Sequence, residues 1–139
     1  MNSISIFHNA SVLRERGNEY LSAELKNAGL KELVPSHGDI LAVLLQAGPC
    51  TMSERAHCVR RTKSTVTTLT DKLERGGYIR RIPNPADSRS TLVELTEKGQ
   101  ALRPTFHRIS EGLQTLVSRN LTPEELETLN SLLEKCLHE

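Results

Sequence analysis

The chain has 139 residues, of which 37% are hydrophobic and 25% charged, with a formal net charge of +1. This is one ordinary domain's worth of globular sequence, and with no Trp and 3% aromatics its core must come from Leu, Ile, Val and Ala. No stretch approaches the ~20 apolar residues of a membrane span, and the N-terminus has no basic run followed by an apolar one, so a cytoplasmic protein without a membrane partner is expected.

In chain order, the first expected element is a long amphipathic helix. Ile6, Ala10, Leu13, Gly17, Tyr20, Leu21 and Leu25 recur at three- and four-residue steps until Gly29 ends the pattern. Ser36 then opens a shorter helix through Ile40, Leu41, Val43, Leu44 and Leu45, which Gly48-Pro49 stops. Thr51-Met52-Ser53-Glu54 has capping-box spacing and predicts a helix to about Val59. Arg60-Arg61-Thr62 is short and polar, as a turn would be, and Thr62 caps a second helix from Lys63 to Arg75, ended by Gly76-Gly77. Within that helix Val66, Leu69 and Leu73 form a narrow apolar face.

A strand over 78–82, a turn-rich loop over 83–90 and a returning strand over 91–95 read as a β-hairpin. Beyond it, Leu102, Phe106, Ile109, Leu113 and Leu116 mark another amphipathic helix. A last helix opens at Thr122-Pro123-Glu124-Glu125 and carries Leu126, Leu129, Leu133 and Leu137 on one stripe. The predicted fold is mainly α with a small β-wing, in a single domain over 1–139. A winged helix-turn-helix lobe over 36–98 is flanked by long N- and C-terminal dimerisation helices over 3–30 and 99–139.

The terminal helices demand a partner. A middle of about 60 residues cannot cover three long apolar seams, and a wet seam forfeits roughly 25 cal/mol per Å2 of apolar surface. Intertwining with a second copy as a homodimer solves this.

Charge is distributed unevenly. From Arg55 to Ser90 nine basic residues face three acidic ones, a net of +6, while the remainder carries nine basic and fourteen acidic residues, a net of −5. A basic middle between acidic ends suits a module that contacts phosphates. On the helix from Lys63, the residues Ser64, Thr65, Thr67, Thr68 and Asp71 lie beside or opposite the apolar face, and none needs burial. Such slim side chains suit a recognition helix in a major groove, where hydroxyls bond phosphates or base edges and threonine methyls touch thymine. Arg60, Arg61, Lys63, Arg80 and Arg81 are the candidate phosphate contacts, and Lys72 is a further candidate DNA-binding residue. Arg89, near the hairpin tip, is placed to enter a minor groove, with Asp87 orienting its guanidinium. The expected partner is double-stranded DNA with a roughly palindromic site.

The run TKSTVTTLTDKLERGGYIRRIPNPADSRSTLVELTEKG strongly resembles the signature of the MarR regulators, over roughly residues 51 to 102. The matching elements are Lys-Ser-x-Val-Thr, then Leu-Glu-x-x-Gly-Tyr-Ile-x-Arg, then Asp-x-Arg-x-x-x-Val-x-Leu-Thr-x-x-Gly. The resemblance implies a triangular dimer with interlocked terminal helices, a major-groove helix from Lys63 to Lys72, and Arg89 held by Asp87 in a minor groove. It also implies a repressor relieved by a small effector, by oxidation or by metal. The effector pocket, by that analogy, lies between the dimer helices and the DNA-binding lobe, with Tyr20, His37, Leu41 and Phe106 as candidate lining. Arg55 departs from the pattern, standing where the family usually has an apolar residue, so it must snorkel or contact phosphate.

Other functions find less support. The three cysteines, Cys50, Cys58 and Cys136, include no CxxC, and Cys58 alone, with Arg55, Arg60 and Arg61 close in sequence, has the electropositive setting of a redox-sensing thiol. The relatives that sense oxidation carry their cysteine in the first long helix, where this chain has none. His8, His37, His57, His107 and His138 are dispersed, so no metal or cofactor is expected. His57 and Cys58 are helix neighbours that point apart, and Gly76-Gly77 only ends a helix, so catalysis is not expected either. The alternatives to a DNA-binding regulator are a winged-helix protein-interaction module and a thiol-based redox-sensing regulator.

Overall fold

Helix-end chemistry sets the element order of the chain, for which a computed structural model describes residues 3–59 and 61–138. The first helix, α1 (Ser3–Asn27), ends where Gly29 takes a φ of +80°. The Leu30 N–H returns to the Leu25 carbonyl at 2.8 Å and the Gly29 N–H to Lys26 at 3.0 Å, a Schellman closure that only glycine accommodates without strain. α2 (Pro35–Ala47) begins one residue earlier than the Ser36 start expected from sequence. Proline supplies the first helical φ, and the ring of His37, through Nδ1, accepts the Val34 N–H at 3.1 Å in place of a hydroxyl cap.

A two-residue strand, β1 (Cys50–Thr51), precedes α3 (Met52–Val59). The capping box expected there is formed: the Thr51 N–H donates to Glu54 Oε2 at 2.8 Å and the Glu54 N–H to Thr51 Oγ1 at 3.2 Å. α4 (Lys63–Arg75) follows, then β2 (Ile79–Pro83) and β3 (Thr91–Leu95). The sheet is antiparallel with order β1-β3-β2, Cys50 lying opposite Val93 and Ile79 opposite Leu95. The short α5 (Glu97–Gln100) leads into α6 (Arg103–Ser118) and α7 (Pro123–Leu137), whose Thr122–Glu125 capping box is also formed. The fold is mainly helical with a small three-stranded sheet, as the sequence predicts. β1 and α5 are additions, both too short to impose a periodicity.

The core gathers where α2, α4 and the sheet meet, in Ile40, Leu41, Leu44, Val66, Leu73, Tyr78, Ile79 and Val93. The buried stripe of α4 runs through Val66, Thr70 and Leu73; Thr70 is fully buried and Leu69 only partly, so the buried face is turned slightly from the expected stripe towards Thr70. Because α4 packs against both α2 and α3, its buried side centres between them. Arg55 corrects another expectation, since it neither snorkels nor reaches phosphate. Its side chain has no exposure, and Nη1 donates to the Cys50 carbonyl at 2.8 Å. At the ends of the molecule the apolar seams stay open: Ile6, Phe7 and Leu13 on α1, and Leu132, Leu133 and Leu137 on α7, are exposed, and no residue of α7 is buried.

Candidate nucleic-acid interface

α3 and α4 form a helix-turn-helix whose second helix starts from a hydroxyl cap. Thr62 Oγ1 accepts the Thr65 N–H at 3.3 Å, satisfying one of the orphan donors of the first turn. Opposite Val66, Thr70 and Leu73, the side chains of Ser64, Thr65, Thr68 and Lys72 are exposed, with Thr67 and Asp71 half-exposed. Packing one face of α4 into the core thus leaves the hydroxyl-rich face outward. Arg60 and the side chain of Lys63, both expected at this surface, lie outside the described residues.

The wing is stiffened by its own polar groups. Asn84 Oδ1 accepts the Ala86 N–H at 3.0 Å, Asn84 Nδ2 donates to Ser90 Oγ at 2.7 Å, and the Ser90 N–H bonds the Asp87 carbonyl at 3.1 Å. Asp87 Oδ1 accepts both the Arg89 N–H at 3.0 Å and Arg89 Nε at 3.3 Å. The Arg89 side chain nonetheless remains 90% exposed, an oriented cation at the wing tip. Between α3, α4 and the wing lies an open cleft of about 300 Å3, lined by Met52, Thr67, Arg81, Arg89 and Ser90 among others.

The two arginines of β2 are engaged within the protein. Arg80 Nε meets Glu94 Oε1 at 2.6 Å, and Arg81 reaches Asp71 while its Nε lies 3.4 Å from Glu74. Arg81 therefore ties the wing to α4. The Arg80–Glu94 partnership was readable from the hairpin, since the two sit directly opposite in the register; the Arg81 contacts span separate elements and carried no such signal. Arg61 lies 3.9 Å from Asp39 of α2.

The residues expected around an effector pocket are dispersed by the fold. A cleft of about 110 Å3 opens between α1, α2 and α6, lined by Leu21, Leu25, Gly38, Asp39, Phe106 and Ile109 among others. Phe106 is in it. Leu41 and His37 are buried in the core, and Tyr20 is half-buried against α6, near Gly112. Sequence reasoning missed Asp39, the carboxylate shared by this cleft and the Arg61 ion pair. Burial pushes the His37 pKa down, with Lys72 adding to the effect. It pushes the Cys50 thiol up, against the pull of the Arg55 guanidinium. Cys58 is exposed, but Arg55, one of the cations expected beside it, is turned into the core. Among the described residues no three His, Cys, Asp or Glu side chains gather as a metal site.

Residues 33–91 match the family model described as MarR family. The chain is 35% identical over 99 residues to the multiple antibiotic resistance protein MarR of Salmonella typhimurium, covering 70% of this chain and 69% of the relative. The chain belongs to the MarR family. The chain is also similar to the uncharacterized HTH-type transcriptional regulator YcgE of Bacillus subtilis, at 35% identity over 67% of this chain and 60% of that protein. Among solved structures, a mutant of Escherichia coli MarR complexed with operator DNA superposes with a TM-score of 0.84 at 26% identity, covering 97% of this chain and 95% of the other. The Staphylococcus aureus MepR–DNA complex shares the fold, with a TM-score of 0.81 at 24% identity over 99% of this chain and 97% of the other. The helix-turn-helix, wing and terminal helices are thus those of a MarR-family protein.

Proposed function

We infer that the chain is a transcription regulator that binds double-stranded DNA as a homodimer, α4 lying in a major groove and Arg89 entering the flanking minor groove. The observation that carries this reading is the pairing of two exposed features on one side of the molecule. One is the outward face of α4 with Ser64, Thr65, Thr68 and Lys72; the other is the guanidinium that Asp87 orients at the wing tip. A helix of this girth fits a major groove, and a narrow minor groove attracts an inserted arginine. That close relatives in fold are solved with DNA supports the same reading.

The open apolar seams of α1 and α7 are the dimer contacts in this reading, and two-fold symmetry makes the site palindromic, with half-sites about one helical turn apart. Lys72, with Arg60, Arg61 and Lys63, contacts phosphates. Arg80 and Arg81 do so from within their ion pairs, or by exchanging carboxylate for phosphate. The chain works in the cytoplasm as a repressor without a catalytic step. A small effector in the cleft beside Phe106 and Asp39 releases it by favouring a spacing of the two α4 helices that does not match the grooves. Enrichment of duplexes from a random pool by the purified chain, followed by mobility shift, tests the reading. It predicts an enriched palindrome bound by a dimer; no enrichment and no shift at low ionic strength would refute it.

A further inference from the structure

The hydroxyls on the outward face of α4 are not equivalent, and their bonding narrows what the helix can read. Thr68 Oγ1 donates its one proton to the Ser64 carbonyl at 3.1 Å. A threonine hydroxyl has a single proton, so Thr68 offers a groove its γ-methyl and an accepting oxygen but no donor. Thr65 Oγ1 accepts from Thr62 Oγ1 at 2.9 Å, which holds that side chain against the cap. Asp71, the one carboxylate on this face and the natural acceptor for a cytosine amine, is already held by Arg81. The first two turns hold no Arg, Asn or Gln to read guanine or adenine with paired bonds, and the lysines of α4, Lys63 and Lys72, are assigned to phosphate in the DNA-binding reading.

Base-pair edges sort against this inventory. A G·C pair shows two acceptors on guanine and the amine of cytosine, but no methyl. An A·T pair also shows acceptors and an amine, but it alone carries a methyl, the thymine C5-methyl, against which the Thr68 γ-methyl can pack. We propose that Thr68 is a specificity-determining residue of this chain, selecting an A·T pair in each half-site by packing its γ-methyl against the thymine methyl. The proposal rests on the DNA-binding reading and adds to it the chemical class of base that α4 prefers.

The test uses the duplex enriched by the purified chain, resynthesised with deoxyuridine at one half-site thymine at a time. This removes a single methyl and leaves every hydrogen-bonding group in place. At one thymine per half-site the substitution should weaken binding about fourfold, the worth of one buried methyl-sized group. Thr68→Ser, which deletes only the methyl on the protein, should bind the thymine and uracil duplexes equally and keep the parent's melting temperature. Tolerance of deoxyuridine at every thymine by the unaltered chain would overturn the proposal while leaving DNA binding intact. So would a penalty that persists undiminished in Thr68→Ser. Failure to enrich any duplex would overturn the DNA-binding reading and this proposal together.

Discussion

The guanidinium of Arg55, with no exposure to solvent, donates from Nη1 to the carbonyl oxygen of Cys50 at 2.8 Å. The same Nη1 lies 3.8 Å from the Cys50 sulfur, and Nη2 meets the Met52 sulfur. A charge is thus buried among a carbonyl and two thioether or thiol groups, with its Nε unpartnered among the described residues. Desolvation pulls its pKa below the ordinary arginine value, against the smaller opposite pulls of Cys50 and Glu54. What it gains is geometric: Arg55 folds α3 back onto β1, and β1 is the strand that pairs with β3 of the wing.

Arg55→Ala should therefore destabilise the fold by about 3 kcal/mol, through a cavity and an orphaned Cys50 carbonyl. Arg55→Met fills much of the same volume without a buried charge, and its loss should stay near 1 kcal/mol or below. Urea denaturation of the two variants beside the parent checks this. An alanine variant as stable as the parent would show that the guanidinium has no holding role.

Acid should weaken the entry to α2. His37 caps Val34 through a neutral Nδ1, its Nε2 is buried without a partner among the described residues, and its folded pKa is lowered from the ordinary 6.5. The folded state thus disfavours the imidazolium. Its stability is complete above about pH 6.5 and declines as pH falls below that value towards the lower folded pKa, because the unfolded chain binds the proton first. His37→Asn keeps an accepting oxygen and removes the titration. Its stability should change less than the parent's between pH 6.5 and 5. Parallel pH profiles for the two proteins would contradict this assignment.

Dimerisation should yield to one charge on the open seam. Leu133 is 45% exposed in the single chain, in line with the exposed Leu137. Leu133→Glu would bury a carboxylate in the contact between copies. Sedimentation should show the parent as a dimer at micromolar concentration and the variant shifted to monomer with its helix content retained. A parent that sediments as a monomer would remove the homodimer from the account.

The wing tip should act as one contact. Arg89→Ala, which removes one cation from each of the two wings, should weaken binding to the enriched duplex by about 1–3 kcal/mol per half-site, with a salt dependence shallower by about two units in the log–log slope. Asp87→Ala leaves the guanidinium but frees it, and should cost less than Arg89→Ala. Fluorescence anisotropy across a salt series reads both. Equal affinity for parent and Arg89→Ala would exclude the wing from the interface.

Periodicity and cap chemistry made most of the architecture legible beforehand. The Thr51–Glu54 and Thr122–Glu125 boxes, the Thr62 cap and the glycine stops fall where the sequence places them, because each is a local interaction between residues three or four apart. The misses have causes that periodicity and caps do not carry. α4 turns so that Thr70 joins Val66 and Leu73 in the core, which depends on what α2 and α3 present to it. Arg55 is drawn inward by a carbonyl and sulfurs of its own neighbours, a destination that charge alone argues against. Arg81 meets Asp71 only because the wing folds over α4. At the candidate interface, residue types identified the outward face, but the hydroxyl committed by Thr68 to a backbone carbonyl required coordinates.

The central claim is that paired copies of α4 and the wing grip a charged duplex, and the salt dependence of affinity tests it most directly. Between about 50 and 200 mM salt, binding to the enriched palindrome should weaken by roughly 10³-fold or more, in a straight log–log line, as counterions are released from six or more phosphates. An affinity that does not change across that range, or no binding at its lower end, would contradict the account.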